Sequence, residues 1–110
     1  MNIKEIVVYL SGPISGRDEE EASSHFLFVE NMLEEQEQGR LVINPMEHTK
    51  RDSWEEYMKD GLLALLDSEC VVMLDGWRSS RGASFERLVA FELGIPIYYE
   101  EELTWASLES

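Results

Sequence analysis

The segment CVVMLDGWRSSRGASFERLVAF, from Cys70 to Phe91, contains the pattern that decides the fold. It begins with an apolar run from Cys70 to Leu74, passes through a polar loop that contains glycine, and becomes apolar and periodic again from Phe85. A short apolar run, turn residues and a longer periodic run predict a strand, a loop and a helix. We therefore expect the strand–loop–helix unit from which α/β proteins are built.

The loop of this unit is expected to face a ligand, because ligands of open α/β sheets bind beyond the carboxyl ends of the strands. Glu86 follows in what we predict to be the first turn of the helix, between the apolar residues Phe85 and Leu88. Free backbone N–H groups and the helix dipole favour a carboxylate anion there. Our hypothesis is that Glu86 is a nucleophile. The loop residues expected on the ligand side are Asp75, Trp77, Ser80 and Arg81.

Three further apolar runs, rich in β-branched residues or bounded by turn residues, predict three more strands. The four predicted strands are Ile3 to Leu10, Leu41 to Asn44, Cys70 to Leu74 and Ile95 to Tyr99.

Helices are predicted between the strands. The first follows Arg17, takes Asp18 as its N-cap and ends at Gly39, and its apolar face is formed by Ala22, Phe26, Val29 and Leu33.

The second helix follows Ser53, which forms a capping box with Glu56. The third covers roughly Ala83 to Leu93 and is capped by Gly94. The pattern also allows a short helix in the tail, around Leu103 to Leu108.

Alternating strands and helices predict a parallel sheet with right-handed crossovers. We expect one domain over residues 1–110, a flavodoxin-like or Rossmann-like three-layer α/β sandwich with a short parallel sheet of about four to five strands. A strand order of 2-1-3-4 would place the first and third strands side by side at the switch point, so that both of their loops open onto one crevice.

The first of these loops, SGPISGR from Ser11 to Arg17, has chemistry of its own. Backbone N–H groups of such a loop can bind an anion at a helix N-terminus, and an arginine can add a bidentate contact to a phosphate. An ordinary βα turn that needs glycine for its geometry accounts for the same pattern. The pattern alone does not separate the two interpretations.

The net charge of −14, from 23 acidic and 9 basic residues, argues against a protein that binds nucleic acid by neutralising phosphates. An acidic, soluble surface explains it, and an acidic decoy that imitates DNA is the alternative. No stretch is long and apolar enough for a membrane span, and the N-terminus lacks the layout of a signal peptide. A cytoplasmic protein without membrane contact is expected.

Other chemically suggestive residues receive structural interpretations. Trp54 and Tyr57 are assigned to helix packing, and Cys70 to a buried strand. The single cysteine excludes an intrachain disulfide and a cysteine-based zinc site, and His25 and His48 lack the spacing of metal ligands. No metal and no cofactor are expected.

Three motifs together resemble the nucleoside 2-deoxyribosyltransferase superfamily, and in particular its small, mostly phage-encoded branch. They are YLSGPISG at Tyr9 to Gly16, INP at Ile43 to Pro45, and LDGWRSSRGASFE at Leu74 to Glu86. The resemblance implies an enzyme that cleaves or exchanges the N-glycosidic bond of a (deoxy)nucleoside or its 5′-monophosphate. It also implies a homodimer or larger homo-oligomer whose partner is a small nucleotide or nucleoside.

The resemblance implies roles for individual residues. Glu86 occupies the position of the glutamate nucleophile, and Asp60 is the nearest match to an aspartate that assists the base. Asp75 is a second candidate for the acid, and Trp77 or Tyr9 is expected to stack on the base. The substrate-binding set is Tyr9, Ser11, Gly12, Pro13, Ile14, Ser15, Gly16, Arg17, Asp75, Trp77, Ser80 and Gly82.

This chain departs from the superfamily at several positions. Ser80 stands where the transferases carry a second aspartate, and Arg87 follows the nucleophile position in place of an apolar residue. Two other functions therefore stay open beside the enzyme: a catalytically silent protein that sequesters a nucleotide in the same pocket, and the acidic interaction protein.

Overall fold

The computed structural model describes residues 3–47 and 53–103. Strands and helices alternate along the chain. The strands are β1 (Val7–Ser11), β2 (Leu41–Ile43), β3 (Cys70–Met73) and β4 (Ile97–Tyr99), the helices are α1 (Glu19–Gln36), α2 (Trp54–Leu66) and α3 (Arg81–Leu93), and two short 3-10 helices cover Pro45–Glu47 and Trp77–Ser79.

The four strands form one sheet in the order β2-β1-β3-β4, and every neighbouring pair is parallel. The predicted order and the predicted α/β sandwich are thereby confirmed. Register between the central strands pairs Val8 with Cys70 and Ser11 with Met73, so β1 and β3 end together. The loops that follow them start from the same edge of the sheet.

The two faces of the sheet bury different residues, because side chains alternate along a strand. Val8 and Leu10 of β1 belong to the same buried cluster as Phe26, Val29 and Leu33 of α1. Tyr9, between them, belongs to a second cluster with residues of α2 and α3, including Leu65, Ala83 and Ala90. Since Ser11 lies two residues after Tyr9, it shares the face that α2 and α3 cover.

The predicted capping residues are confirmed at three helix ends. The Asp18 side chain accepts a hydrogen bond from the backbone N–H of Glu21, and Ser53 does the same for Glu56. Gly94 ends α3 with φ of 74°, in the left-handed region that glycine adopts without strain. The chemistry of the caps was therefore readable from single residues.

Two strands begin later than predicted, β1 at Val7 instead of Ile3 and β4 at Ile97 instead of Ile95. Two predicted helix boundaries are wrong as well. α1 ends at Gln36 and takes the extended residue Glu37 as its C-cap, so Gly39 lies in the following turn. α3 begins at Arg81, because the Ser80 side chain accepts a hydrogen bond from Ala83 N–H and caps the helix earlier than expected.

The end of the described chain is helical over residues 100–103. Apart from Leu103, the tail helix predicted around Leu103 to Leu108 lies outside the described residues, as does His48. Within the described ranges, no helix combines the length and the apolar character needed to cross a bilayer.

Candidate functional site

A cavity of about 250 Å³ lies beyond the carboxyl ends of β1 and β3, where the sequence predicted a ligand site. Both loops of the predicted crevice contribute to it, and α2 closes one side. It is lined by Ser11, Gly12, Ile14, Ser15, Pro45, Trp54, Tyr57, Met58, Ser79, Ser80, Arg81, Gly82, Ala83 and Glu86.

Glu86 is the buried carboxylate of this cavity, with only 5% of its surface exposed. The Tyr9 hydroxyl donates a hydrogen bond to its Oε2 at 2.7 Å, and the Ser11 hydroxyl donates to its Oε1 at 2.7 Å. Both donors come from the same face of β1, so a single strand fixes both carboxylate oxygens. Short bonds of this kind to an ionised acceptor are among the stronger hydrogen bonds in proteins.

Electrostatics at the site follow from burial. Burial raises the pKa of Glu86 above its ordinary value, and the hydrogen bonds from Ser11 and Tyr9 act in the opposite direction. Burial and the Glu86 charge raise the pKa of Tyr9 and that of Tyr57 well above the ordinary value. The two phenols are therefore protonated hydrogen-bond donors beside a carboxylate.

Gly61 of α2 makes room for this carboxylate. A Cβ at position 61 would stand 2.5 Å from Glu86 Oε2 and 2.9 Å from the Tyr9 hydroxyl. The backbone of α2 thus packs directly against the acid, in the way that only glycine allows.

The predicted surroundings of Glu86 are wrong in two respects. Because α3 begins at Arg81, Glu86 lies in its second turn, beyond the free N–H groups of the first. Its sequence neighbours Phe85 and Leu88 are exposed and do not bury it. Burial comes instead from β1 and α2, and hydrogen bonds from side chains replace the predicted contact with the helix terminus.

The first loop is divided between the cavity and the rest of the fold. Ser11, Gly12, Ile14 and Ser15 line the cavity, whereas Pro13, Gly16 and Arg17 are not part of its wall.

Arg17 is turned toward other partners. Its guanidinium donates to the Pro13 carbonyl and lies 3.1 Å from His25 Nδ1 and 3.5 Å from a Glu21 carboxylate oxygen. In this structure Arg17 braces the loop and does not point its donors into the cavity.

His25 connects this loop to the end of the chain. Its Nε2 lies 2.7 Å from Glu100 Oε1, and the same oxygen accepts a hydrogen bond from Asp75 N–H at 2.8 Å. Glu100 is 5% exposed. A single buried carboxylate therefore joins α1, the loop after β3 and the residue that follows β4.

The second loop is also divided. Of the four residues predicted to bind substrate, Ser80 and Gly82 line the cavity, and Asp75 and Trp77 do not. The Trp77 ring lies against protein groups: the Arg78 and Arg87 guanidinium carbons are 4.8 Å and 5.1 Å from its centroid, and the Tyr99 ring is 5.9 Å away. Neither Trp77 nor the buried Tyr9, whose hydroxyl is bound to Glu86, presents a ring face that we can assign to a base.

Neither candidate acid lies in the cavity wall. Asp60 is exposed on α2, and Asp75 is exposed at the start of its loop. Desolvation and the nearby Glu100 carboxylate raise the pKa of Asp75, which suits a proton donor, but its position does not. Among the lining residues that the structure describes, Glu86 is the single carboxylic acid.

Sequence reasoning placed Asp60 of α2 at the site and missed the residues of this helix that line the cavity. Trp54 and Tyr57 were assigned to helix packing, and both line the cavity together with Met58. Their spacing with Gly61 places them near one stripe of the helix. A glycine inside an otherwise regular helix was the available signal, since it often marks a close approach.

Two further predictions concern metals and the cysteine. In the described part of the chain, no cluster of three or more His, Cys, Asp or Glu side chains is arranged to hold a metal ion. Cys70 is buried in β3, and burial raises the pKa of its thiol to about 12, which suits the structural role predicted for it.

Comparison with known proteins identifies a family for this chain. No curated protein matches the chain. The family described as Domain of unknown function (DUF4406) matches residues 6–99, from the start of β1 to the end of β4. The matched segment contains β1 to β4, α1 to α3 and the described residues of the cavity wall, and the chain therefore belongs to the DUF4406 family.

Proposed function

We propose that this protein cleaves or exchanges the N-glycosidic bond of a (deoxy)nucleoside or its 5′-monophosphate, with Glu86 as nucleophile. The observation that supports this most directly is the Glu86 carboxylate, buried in the wall of a cavity and fixed through both oxygens by Tyr9 and Ser11. The motif resemblance to nucleoside 2-deoxyribosyltransferases supports the same chemistry. A cavity of about 250 Å³ has room for a sugar and part of a base.

In the first step, a Glu86 oxygen attacks C1′ of the sugar from the face opposite the base. The C1′–N bond breaks, its electron pair leaves with the base, and the base takes up a proton. The transition state has oxocarbenium character, which a nearby carboxylate stabilises, and the product is a covalent glycosyl-enzyme.

In the second step, water or a second base attacks C1′ and releases Glu86 as a carboxylate. Attack by water, with loss of a proton, gives the free sugar; attack by a base gives a new nucleoside. The hydroxyls of Tyr9 and Ser11 stabilise the carboxylate that is regenerated, as donors that already point at it.

Tyr57 is the described group best placed to assist the departing base. Its side chain lines the cavity near Glu86, and its raised pKa keeps the hydroxyl protonated. A phenol of this kind is a hydrogen-bond donor to the base and a weak acid, so the proton that the base gains comes through solvent in this scheme.

A specific observation favours a second candidate, a protein that binds a nucleotide without turning it over. Both Glu86 oxygens already accept hydrogen bonds, which reduces their nucleophilicity, and the described cavity wall has no other carboxylic acid to protonate a leaving base. The same pocket would then sequester its ligand.

One experiment separates these functions. The purified protein is incubated with a panel of deoxynucleosides, ribonucleosides and their 5′-monophosphates, with and without an added free base, and released or exchanged base is measured by chromatography. Glu86→Gln keeps the size of the side chain and removes the nucleophile, so we expect it to lower the rate by more than about a thousandfold.

Glu92→Gln is the matched control, because Glu92 lies on the same helix and is exposed. It is expected to keep the wild-type rate. Equal rates in Glu86→Gln and in the wild type would contradict the proposed nucleophile. Binding without release by the wild type would favour the sequestering protein.

A further inference from the structure

We infer that Arg81 holds a phosphate group of the ligand, and that this makes the cavity a site for nucleotides in preference to nucleosides. The inference rests on the proposed function, because it takes the bound molecule to be the one whose sugar lies against Glu86. It assigns the anion to Arg81, where the sequence pattern suggested Arg17.

Among the described residues of the cavity wall, Arg81 is the one with a cationic side chain. It is the first residue of α3, and its guanidinium carbon lies 3.8 Å from the centroid of the Trp54 ring, which also lines the cavity. Stacking on an aromatic ring uses the face of a guanidinium and leaves its N–H groups free in the plane. Trp54 therefore acts as a platform that orients Arg81 for a bidentate contact.

Arg81 and Arg17 differ in the partners that their guanidinium groups have within the protein. Over residues 3–47 and 53–103, the ion pairs join Arg17 to Glu21 and His25 to Glu100, and neither includes Arg81. Arg17 also donates to the Pro13 carbonyl. Of the two arginines, Arg81 is the one whose donors are available to a ligand.

Hydroxyl groups belong to the same cavity wall as Arg81. Ser15, Ser79 and Ser80 all belong to its wall. The Ser80 oxygen accepts a hydrogen bond from Ala83 N–H, which leaves its own O–H to donate elsewhere. A guanidinium fork beside several hydroxyl donors matches the three terminal oxygens of a phosphate better than the two of a carboxylate.

The relative positions of Arg81 and Glu86 suit one ligand. Five residues of helix separate them by about 7.5 Å along the axis, comparable to the span of a pentose and its 5′ substituent. Glu86 is buried and Arg81 is exposed. The sugar would lie inside against Glu86, and the phosphate would lie at the mouth.

The charge distribution favours the same assignment. The whole chain carries a net charge of −14, which repels an anionic ligand. Three of its nine basic residues are nevertheless Arg78, Arg81 and Arg87, concentrated around this loop and the start of α3. Of the three, Arg81 belongs to the described cavity wall, whereas Arg78 and Arg87 lie against the Trp77 ring, so the charge that attracts an anion into the cavity is that of Arg81.

The test is a binding measurement, so that it does not depend on turnover. Full-length protein carrying Glu86→Gln is titrated in a calorimeter with each deoxynucleoside 5′-monophosphate, with the matching deoxynucleoside and with inorganic phosphate. We expect the monophosphates to bind at least about tenfold more tightly than the nucleosides, because a charge-assisted bidentate contact is strong.

Adding Arg81→Gln is expected to weaken monophosphate binding about 10- to 100-fold and to leave nucleoside binding within about twofold. The affinity of Arg81→Lys for the monophosphates should lie between those of the parent and Arg81→Gln, since an ammonium group keeps the charge and loses the two parallel N–H donors of a guanidinium. Arg78→Gln is the control, because Arg78 lies outside the cavity wall, and it should bind all ligands as the parent does.

Equal affinity of the parent for monophosphate and nucleoside would overturn the inference, as would an equal loss for both in Arg81→Gln. Inorganic phosphate that binds as tightly as the monophosphates would replace the nucleotide with free phosphate and overturn it too. Tighter binding of the monophosphates, together with no base release by the wild type, would leave the inference standing and refute the proposed enzyme. Base release by the wild type, together with equal binding of monophosphates and nucleosides, would support the enzyme and refute the inference.

Discussion

At Glu86, burial disfavours the ionised carboxylate that the proposed reaction requires. The carboxylate is 5% exposed and its pKa is raised by desolvation, which Tyr9 and Ser11 offset in part. A group whose pKa is higher in the folded than in the unfolded chain favours folding when it is protonated. That contribution is present below the unfolded pKa and is lost as the pH rises through the folded pKa.

Glu86→Gln is therefore expected to raise the free energy of unfolding at neutral pH, because the amide carries no charge to desolvate. The gain over the wild type should shrink as the pH falls below the raised pKa of Glu86, where the wild-type carboxyl is neutral as well. Thermal denaturation at about pH 8 and at the lowest pH at which both proteins stay folded measures it. A variant less stable than the wild type at both values would contradict this account.

Activity should follow the same ionisation. If Glu86 is the nucleophile, kcat/KM for base release rises with pH as the carboxyl loses its proton, and the acidic limb lies above the ordinary pKa of a glutamate. Tyr9→Phe removes one hydrogen bond that lowers this pKa, so the acidic limb should move to higher pH. A limb that stays in place would assign the ionisation to another group.

Gly61→Ala should be harmful although alanine favours a helix. The added Cβ would meet Glu86 Oε2 at 2.5 Å, and overpacking of this kind costs about 1–3 kcal/mol, which exceeds a helix-propensity gain of about 1 kcal/mol. The free energy of unfolding measured by urea denaturation and the value of kcat/KM should both fall. Lys59→Ala, exposed on the same helix, should change stability by less than about 0.5 kcal/mol.

At the scale of elements, the alternation of strands and helices was predictable because each apolar run has its own period and its own turn residues. The order β2-β1-β3-β4 followed from general rules of α/β topology. Helix ends were predictable where one side chain determines them, as at Asp18 and Ser53. They were not predictable at Ser80, where two adjacent serines and a glycine gave competing positions for the cap.

The candidate site was less predictable than the fold, since its wall combines elements that are distant in sequence. Periodicity assigns Trp54 and Tyr57 to an apolar face and cannot say whether that face meets another helix or a cavity. It also cannot show that the Arg17 guanidinium donates to the Pro13 carbonyl and pairs with the Glu21 carboxylate. The composition of a loop identifies its possible chemistry, and the orientation of each side chain requires the tertiary structure.

α1 offers a test of capping that is separate from the site, because it covers the opposite face of the sheet. Asp18→Ala removes the acceptor for Glu21 N–H and is expected to cost about 1 kcal/mol of stability. Asp18→Asn keeps the acceptor and should lose little, although both changes remove the same charge. Equal losses in the two variants, measured by urea denaturation, would point to charge in place of capping.

At the scale of the whole molecule, the net charge of −14 on 110 residues produces repulsion that a compact chain cannot avoid. Salt screens exposed charges over about 10 Å at 0.1 M ionic strength, so the melting temperature should rise as sodium chloride is added from low concentration to about 0.15 M. A melting temperature that does not change would mean that the acidic residues are already compensated locally.

Through the contact between His25 and Glu100, the first loop depends on a residue that follows the fourth strand. The loop that carries Ser15 into the cavity is braced by Arg17, Arg17 meets His25, and His25 meets a carboxylate one residue beyond β4. A chain interrupted after Tyr99 would possess β1 to β4 and every described residue of the cavity wall, yet its first loop would have lost the contact between His25 and Glu100. Glu100 is synthesised after every described residue of the cavity wall, and its contact with His25 thus completes the support of a loop made long before it.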